Sequence, residues 1–330
     1  MGILPGIVHG RDSRATSDSH KSMAKLSDLP NVISFDVEEW FHIRRTEDHL
    51  PIESWAELPS RLPVCLGRIL DLLAQTGNRA TFFWLGWCAE RLPEWVGRLA
   101  KAGHEIACHG YGHRALDRLR PDEFRVEIRR TRALLQDLSG QPVRGFRAPS
   151  LSLGPTTAWA LEVLAEEGFA YDSSLLVTSL RFNPPQSPGA GAEELPPVSA
   201  DLMRRLQESR PWPWQTRAGP IIELPLSVRR WGPLNLPFAG GLFFRVAPYW
   251  AVAATVRQFN AQAVAAVFYA HPWEFDLEGP APPAPAIERF SHRFRLAGGR
   301  RKYVRLLQEF DFVPAGEALN CLLIGGDEKE

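Results

Sequence analysis

The chain has 330 residues, 45% of them apolar, which is enough for one large α/β domain or two ordinary ones. Its 38 basic and 38 acidic side chains give a formal net charge of zero, which argues against nucleic acid or a membrane surface as a partner. No apolar run reaches the roughly 20 residues of a membrane span, so we expect no integral membrane segment, and the four unpaired-looking cysteines predict no disulfide framework.

The chain begins with about thirty mostly polar residues that contain one short, proline-interrupted apolar patch. This is a poor match to a secretion signal, so residues 1–30 are predicted to be a disordered lead-in. The expected location is the cytoplasm, with the inner face of the membrane as the alternative.

From residue 31 onward, short strand-like runs alternate with helix-like runs. The strand-like runs are rich in β-branched and aromatic residues, and they are Val32–Val37, Ala80–Leu85, His104–Cys108, Val143–Phe146, Phe169–Tyr171, Ile221–Leu226 and Ala265–Ala270. The helix-like runs have an apolar face, and several of them are followed by a glycine; they are Val64–Gln75, Pro93–Ala102, Pro121–Leu138, Thr156–Glu167, Pro248–Phe259 and Lys302–Phe310. This alternation predicts an α/β fold with a parallel sheet or barrel inside a layer of helices.

Two stretches interrupt the alternation. Residues 176–220 are rich in proline, glycine and serine, which predicts a long excursion over the surface, and residues 279–287 predict a second loop. The expected single domain therefore spans residues 31–318, with residues 319–330 as a C-terminal tail.

Two acids lie at the C-terminal end of the first predicted strand. Asp36 and Glu38 are two residues apart, so on a strand both side chains leave from the same face. Such a pair repels unless a cation or an arginine lies between its members, although a solvated loop start with Asp36 as a cap would also explain it. Glu39 faces away if the strand is regular, and a bulge would make Glu39 the alternative metal ligand.

Two histidines follow the third predicted strand. His109 and His113 have the H-x-x-x-H spacing that lets two imidazoles reach one divalent metal, a weak motif by itself that the acids at another strand end strengthen. His104 begins the same strand, at the opposite rim, and is interpreted as a structural histidine. The histidines without a partner pattern are predicted to lie on the surface, namely His42, His49 and His292.

Polar residues also follow three later strands. Arg147 fits either a surface cation or the partner of a buried carboxylate, and His271 fits either a third metal ligand or a general acid. Asp172 and Ser173 could cap a helix or line a groove. In barrels of this class, active sites are built at the rim formed by the C-terminal ends of the strands, so these residues are predicted to form one site.

Six segments in order resemble the polysaccharide deacetylases with a NodB-homology domain, and they resemble most closely the branch associated with exosortase (PEP-CTERM) exopolysaccharide gene clusters. These segments are SFDVEEWF, ATFFWLGW, AGHEIACHGYGH, GFRAPS, YDSS and VFYAHPWE, within residues 31–275. The resemblance implies a distorted barrel of seven or eight β/α units and a divalent metal, usually zinc. It also implies removal of an N-acetyl group from a hexosamine, with an N-acetylated glycan as substrate.

Carried over to this chain, the resemblance implies catalytic roles for Asp36 as general base, His271 as general acid and Arg147 as the group that orients the base. It implies that the metal ligands are Glu38, His109 and His113, and that the substrate groove is lined by Asp172, Ser173, Pro149, Trp273 and Tyr111. The chain departs from the family pattern at Val37, where many members have the metal-binding aspartate, and at Ser150, where many have an aromatic residue.

Two other functions fit the same residues. One is a small-molecule amidohydrolase of the allantoinase type, for which a closed pocket rather than an open aromatic trench is expected. The other is a catalytically inactive carbohydrate-binding barrel, against which the joint presence of base, ligands, arginine and acid argues.

Overall fold

Strands and helices alternate along the chain in the computed structural model, which describes residues 30–43, 50–178, 209–232 and 234–324. The strands in these residues are β1 Asn31–Val37, β2 Thr81–Trp84, β3 Glu105–Cys108, β4 Gly145–Phe146, β5 Tyr171–Asp172, β6 Trp212–Thr216, β7 Gly219–Glu223, β8 Val228–Trp231, β9 Leu234–Pro237, β10 Val267–Ala270 and β11 Phe312–Val313. The helices there are α1 Leu62–Thr76, α2 Gly86–Arg91, α3 Pro93–Lys101, α4 Pro121–Ser139, α5 Trp159–Glu166, α6 Gly241–Val246, α7 Tyr249–Ala261, α8 Ala286–Arg293, α9 Leu296–Glu309 and α10 Ala315–Ile324.

One nine-stranded sheet organises these elements. Its order is β10–β1–β2–β3–β4–β5–β7–β6, with β11 paired to the start of β1, and every pair is parallel except β6–β7. The chain that leaves β7 crosses to β10, where the Ser227 N–H donates to the Val267 carbonyl at 3.2 Å and the Ser227 hydroxyl accepts from the Val267 N–H at 2.8 Å. The predicted α/β fold is confirmed as a single domain with a curled, half-barrel sheet.

The period of two along β1 separates the two faces of the sheet. Ile33, Phe35 and Val37 are buried in the large core between the sheet and the surrounding helices. The residues between them point inward, where Val32 packs in a second, smaller core and Asp36 lies at the rim. Val37 therefore lies on the face opposite the site, whereas Asp36 and Glu38 share the inner face.

Helix α10 closes the floor of the half-barrel. The Ala315 N–H at its start donates to the Thr81 hydroxyl at 2.7 Å, and the Gly316 N–H donates to the half-buried Glu105 carboxylate at 3.0 Å. Ala318 and Leu319 pack in the inner core, so this helix crosses the boundary predicted at residue 318.

The structure differs from the sequence prediction at several elements. The last part of the predicted 176–220 excursion forms β6, since Trp212 and Trp214 alternate with Pro213 and Gln215 along the edge of the sheet. Helix α8 begins at the end of the predicted loop 279–287, and α9 begins six residues before the predicted Lys302. Residues 179–208, and residues 1–29 of the predicted lead-in, lie outside the described part of the chain.

The close approach of Gly240 to β10 generates a test of the fold. Gly240 forms a parallel bridge with Tyr269, and a Cβ at position 240 would lie 2.6 Å from the Tyr269 carbonyl oxygen and closer still to its ring. Gly240→Ala should therefore destabilise the fold by about 2 kcal/mol in denaturant unfolding. Gly298→Ala in α9 has no neighbour within 4 Å and is the matched control, expected to be neutral or slightly stabilising. Equal stability of both variants would contradict this close packing.

Candidate metal centre and active site

Three inward-facing side chains converge at the C-terminal rim of β1 and β3. The Glu38 Oε2 atom lies 2.8 Å from His113 Nε2 and 3.8 Å from His109 Nε2, and all three side chains are buried. One ligand atom from each residue lies within 4.8 Å of the other two. A carboxylate and two imidazoles at this separation form the donor set of a three-ligand catalytic zinc site, so the residues fit a divalent metal.

The protonation of His109 suits a metal ligand. Its Nδ1 lies 2.8 Å from the Arg147 carbonyl, which can only accept, so Nδ1 carries the hydrogen and the Nε2 lone pair faces Glu38. Burial lowers the pKa of His109 to about 4, against the opposing effect of Asp36 and Glu38. The ring is therefore neutral at pH 7, as metal binding requires.

A tight loop brings His113 back toward His109. Gly110 has a φ of 76° and His113 itself has a φ of 55°, a left-handed conformation that is uncommon for a residue with a side chain. The Gly110 carbonyl accepts from the Gly86 N–H at 2.9 Å, and the Tyr111 carbonyl accepts from the Trp87 N–H at 3.1 Å. The start of α2 thus holds the loop in the shape that gathers both imidazoles.

Glu39 points away from this centre. Its carboxylate accepts from the Ser60 hydroxyl and from the Arg61 N–H at the start of α1, the latter at 3.0 Å. Its own N–H donates to Nδ1 of His42, which is buried and not on the surface as predicted. Among the described residues, the acid that groups with the two histidines is Glu38.

Asp36 lies on the same inner face and forms a buried ion pair with Arg147. Arg147 Nη1 donates to Asp36 Oδ1 at 2.8 Å, and the same guanidinium donates to Ser34 Oγ at 2.7 Å and to the Ser173 carbonyl and hydroxyl at 2.7 and 2.9 Å. Burial would raise the pKa of Asp36, but the charge of Arg147, followed by His109 and His271, outweighs burial and holds the pKa below its ordinary value. Asp36 is therefore ionised at neutral pH.

His271 completes the rim from β10. Its Nε2 atom lies 3.7 Å from Glu38 Oε1, and its Nδ1 lies 3.2 Å from Glu274 Oε1. Burial lowers the pKa of His271, but the carboxylates of Glu38 and Glu274 outweigh burial and raise the pKa to about 9. Since part of that rise comes from Glu38, a cation held by Glu38 would reduce it.

Two residues of this site escape the sequence reasoning. Glu274 accepts from both the backbone N–H and the ring of His271, and Arg245 Nε lies 3.3 Å from its other oxygen. The spacing of three residues between His271 and Glu274 is a detectable signal, because it is the spacing of a capping box. No sequence pattern around Arg245 on α6 predicts its contact with Glu274, because that contact joins two elements that only the fold brings together.

Trp273 supports the centre instead of lining a groove. Its indole N–H donates to Glu38 Oε1 at 3.4 Å, and its ring stacks between His271 at 4.9 Å and His292 at 3.8 Å. Both aromatic faces are therefore covered by histidine rings, so the indole of Trp273 packs within the protein. His292 is itself buried, contrary to the surface prediction, and burial lowers its pKa to about 3.

The other predicted groove residues are also engaged by the protein. Both oxygens of Asp172 accept from Ser174, and Ser173 bonds to Arg147 and to the Leu224 carbonyl, so both residues are buried supports. The remaining two are Tyr111, whose hydroxyl donates to Glu90 at 2.9 Å under the guanidinium of Arg130, and Pro149, which is buried. Of the other histidines, His104 is buried at the opposite rim, as interpreted from the sequence, and His49 lies outside the described residues.

Two family models match separate segments of the chain. Residues 60–170 match the family model described as Polysaccharide deacetylase, and residues 195–320 match a model described as a domain of unknown function (DUF3473). The solved structure of a candidate polysaccharide deacetylase from Mycobacterium smegmatis superposes with a TM-score of 0.56 at 21% identity, over 91% of this chain and 92% of that one. That similarity shows a shared fold.

Curated relatives are also deacetylases. A peptidoglycan-N-acetylglucosamine deacetylase of Bacillus cereus is 42% identical over 82 residues, which are 25% of this chain and 30% of that protein. A peptidoglycan deacetylase-like protein of Gibberella zeae is 32% identical over 188 residues, which are 51% of this chain and 55% of that protein. The chain thus spans between about a third and about half of these relatives, and the matches support the polysaccharide deacetylase family.

The convergence of Glu38, His109 and His113 predicts stoichiometric binding of a divalent metal. Glu38→Gln and His109→Ala should each lose zinc after dialysis, measured by elemental analysis, because two ligands hold a metal much more weakly than three. His271→Gln is the matched control and should retain zinc, which separates the two roles that the sequence leaves open for His271. Zinc loss in that variant would make His271 a ligand, and zinc retention by Glu38→Gln would refute the assignment of Glu38.

A buried pair of acids behind the site predicts a dependence of stability on pH. Asp172 and Glu223 are neighbours on β5 and β7, and burial raises the pKa of both, that of Glu223 well above its ordinary value. The folded state therefore keeps a proton that the unfolded chain releases above about pH 4.3, so stability falls as pH rises from there toward the folded pKa.

Glu223→Gln should flatten this fall, because its amide replaces the protonated acid. We expect the variant to exceed the wild type by about 1–2 kcal/mol near pH 8 and by much less near pH 5, in denaturant unfolding. Glu57→Gln, at an exposed position, is the control and should follow the wild-type curve. If the stability of Glu223→Gln depended on pH in parallel with that of the wild type, the folded state would not keep this proton on Glu223.

Proposed function

From the support that the family model and the curated relatives give to a polysaccharide deacetylase, we propose that this protein is a metal-dependent hydrolase that removes N-acetyl groups. Its substrates are N-acetylhexosamine residues of a polysaccharide or oligosaccharide. The observation that carries the proposal is the buried group of Glu38, His109 and His113, which shares one rim with the Asp36–Arg147 pair and with His271.

An amide is a poor electrophile, so its hydrolysis needs an activated carbonyl and an activated water. Glu38, His109 and His113 would hold the metal, and Zn²⁺ fits this donor set best. When bound, the ion would polarise the acetyl carbonyl and lower the pKa of a water from about 15.7 toward about 7.

Asp36 is placed to act as the general base. Arg147 occupies Oδ1 and keeps the carboxylate ionised, which leaves Oδ2 to accept a proton from the attacking water. The same arginine is anchored by Ser34 and Ser173, so the carboxylate is held without reorganisation during the reaction.

His271 is placed to act as the general acid. The departing amine nitrogen must receive a proton, because an amide anion is a very poor leaving group. Glu274 holds Nδ1 of His271, so the proton available for delivery is on Nε2, the nitrogen that faces Glu38. Arg245 in turn fixes Glu274, and the pair sets the direction of the ring.

The segment matched as a domain of unknown function is part of this same active site. Residues 195–320 contain β6, β7, β10 and β11, which belong to the sheet built by β1–β5, and they contain His271 and Glu274. We propose that this segment completes the barrel and supplies the general acid and its orienting carboxylate. The resemblance of the six motifs to the exosortase-associated branch supports the further proposal that the enzyme acts in exopolysaccharide biosynthesis.

Acetate release from N-acetylated chitooligosaccharides tests the proposed reaction. The zinc-loaded protein should release acetate, and Asp36→Asn should reduce turnover about 10²–10⁴-fold while the zinc content is unchanged, because a general base contributes that much. Asp71→Asn, at an exposed position on α1, is the matched control and should retain wild-type turnover.

The other outcomes of this assay are informative. Unchanged turnover of Asp36→Asn would remove Asp36 as the base. Turnover of allantoin without acetate release from the oligosaccharides would favour the small-molecule amidohydrolase. Oligosaccharide binding without any hydrolysis would favour the inactive binding barrel.

A further inference from the structure

The neutral net charge of the chain conceals one strongly basic segment. Residues 286–305, which form α8 and most of α9, contain six arginines, one lysine and a single acid, Glu288. Seven cations against one anion give this segment a formal charge of +6 in a chain whose total is zero.

Most of these cations lack an acidic partner. Elsewhere arginines pair with carboxylates, as Arg61 does with Asp276 at 2.6 Å and Arg114 does with Glu127. Arg289, Arg295 and Arg301 are exposed and form no ion pair with a carboxylate in the described part of the chain. The positive charge of the segment is therefore not neutralised by carboxylates in the described part of the chain.

Helix α8 adds exposed apolar side chains to this charge. Ile287 is 76% exposed and Phe290 is 61% exposed, and their spacing of three residues makes them neighbours on the helix surface. Arg289 and Arg293 are four residues apart and both exposed, while His292, on the side of the helix away from Phe290, is buried. A short helix with cations beside protruding apolar residues is typical of a segment that lies at a bilayer surface.

We propose that this surface, formed by Ile287, Arg289, Phe290, Arg293, Arg295 and Arg301 and called here the basic lip, binds an anionic phospholipid bilayer. The arginines contact lipid phosphates, and Phe290 and Ile287 enter the boundary between headgroups and acyl chains. Duplex nucleic acid or an anionic glycan would bind the arginines through its phosphates or carboxylates but would leave the exposed aliphatic side chain of Ile287 in water, so a bilayer explains the charge and the apolar residues together.

The basic lip lies close to the active site. His292, on the buried side of α8, stacks on Trp273 at 3.8 Å, and Trp273 stacks on His271 at 4.9 Å. A bilayer bound at the lip would therefore hold the rim near the membrane, where a glycan carried on a lipid is presented. Because anionic lipids give the cytoplasmic leaflet a negative surface potential, the inner face of the membrane is the location we propose.

Vesicle sedimentation of the full chain tests this proposal, and it requires no turnover, so its outcome is independent of the deacetylase activity. The protein should pellet with phosphatidylcholine vesicles that contain about a third phosphatidylglycerol, and not with pure phosphatidylcholine. Arg289→Gln combined with Arg301→Gln should lower the partition coefficient roughly twenty-fold, and Phe290→Ser roughly ten-fold. Salt at about 1 M should weaken binding of the wild type by screening.

A second exposed aromatic–arginine pair supplies the matched control. Trp231 on β8 is 73% exposed beside the exposed Arg230, so Arg230→Gln with Trp231→Ser should bind vesicles as the wild type does. The proposal is overturned if the wild type ignores anionic vesicles, if it binds both vesicle types equally, or if the control loses as much binding as the lip variants. Retention by heparin or duplex DNA with no vesicle binding would also overturn it, in favour of a soluble polyanion. Circular dichroism melting curves identify any variant that does not fold, and such a variant is left out of the comparison of vesicle binding.

Discussion

The buried guanidinium of Arg147 is the interaction on which the candidate site depends. It joins three strands, because it donates to Ser34 and Asp36 from β1 and to Ser173 after β5, while Arg147 itself follows β4. Its backbone carbonyl takes the Nδ1 hydrogen of His109. One residue thus determines the charge of the proposed base and the tautomer of a metal ligand. Such a buried cation is costly unless its donors are satisfied, and here Nε and both Nη atoms each donate to at least one acceptor.

Contacts between the two segments matched by family models show that they belong to one structural unit. The edge strand β10 pairs with β1 over four registered residues, so the segment that supplies His271 lies beside the strand that supplies Asp36. Glu38 is contacted from both parts, by His113 from one and by the Trp273 indole from the other. The buried Asp276 of the second matched segment also pairs with Arg61 and Arg68 of the first, so the two matched segments fold as one cooperative unit.

Much of the site follows from the period of two along predicted strands. That period correctly sets Asp36 and Glu38 on one face and turns Glu39 away, and strand order then brings the rim residues together. What it does not predict is which rim side chains remain open to a substrate. Trp273 is covered by His292, and Asp172 lies beside Glu223 on the neighbouring strand, and both of these contacts join residues far apart in the sequence. The sequence pattern also does not predict helix α8, because the prolines just before it indicate a loop.

A net formal charge of zero does not describe how charge is distributed between the interior and the surface. The sum over the chain includes buried carboxylates, and Glu38, Asp36, Asp172 and Glu223 are all enclosed in the barrel. Arg147 compensates the charge of Asp36, and the raised pKa of Glu223 keeps that carboxyl protonated, so little of this negative charge acts at the surface. Among the described residues, exposed arginines without a carboxylate partner occur on α8 and α9, where acids are scarce. A chain that buries several carboxylates in one site can thus be neutral in total and still carry a strongly basic segment at its surface.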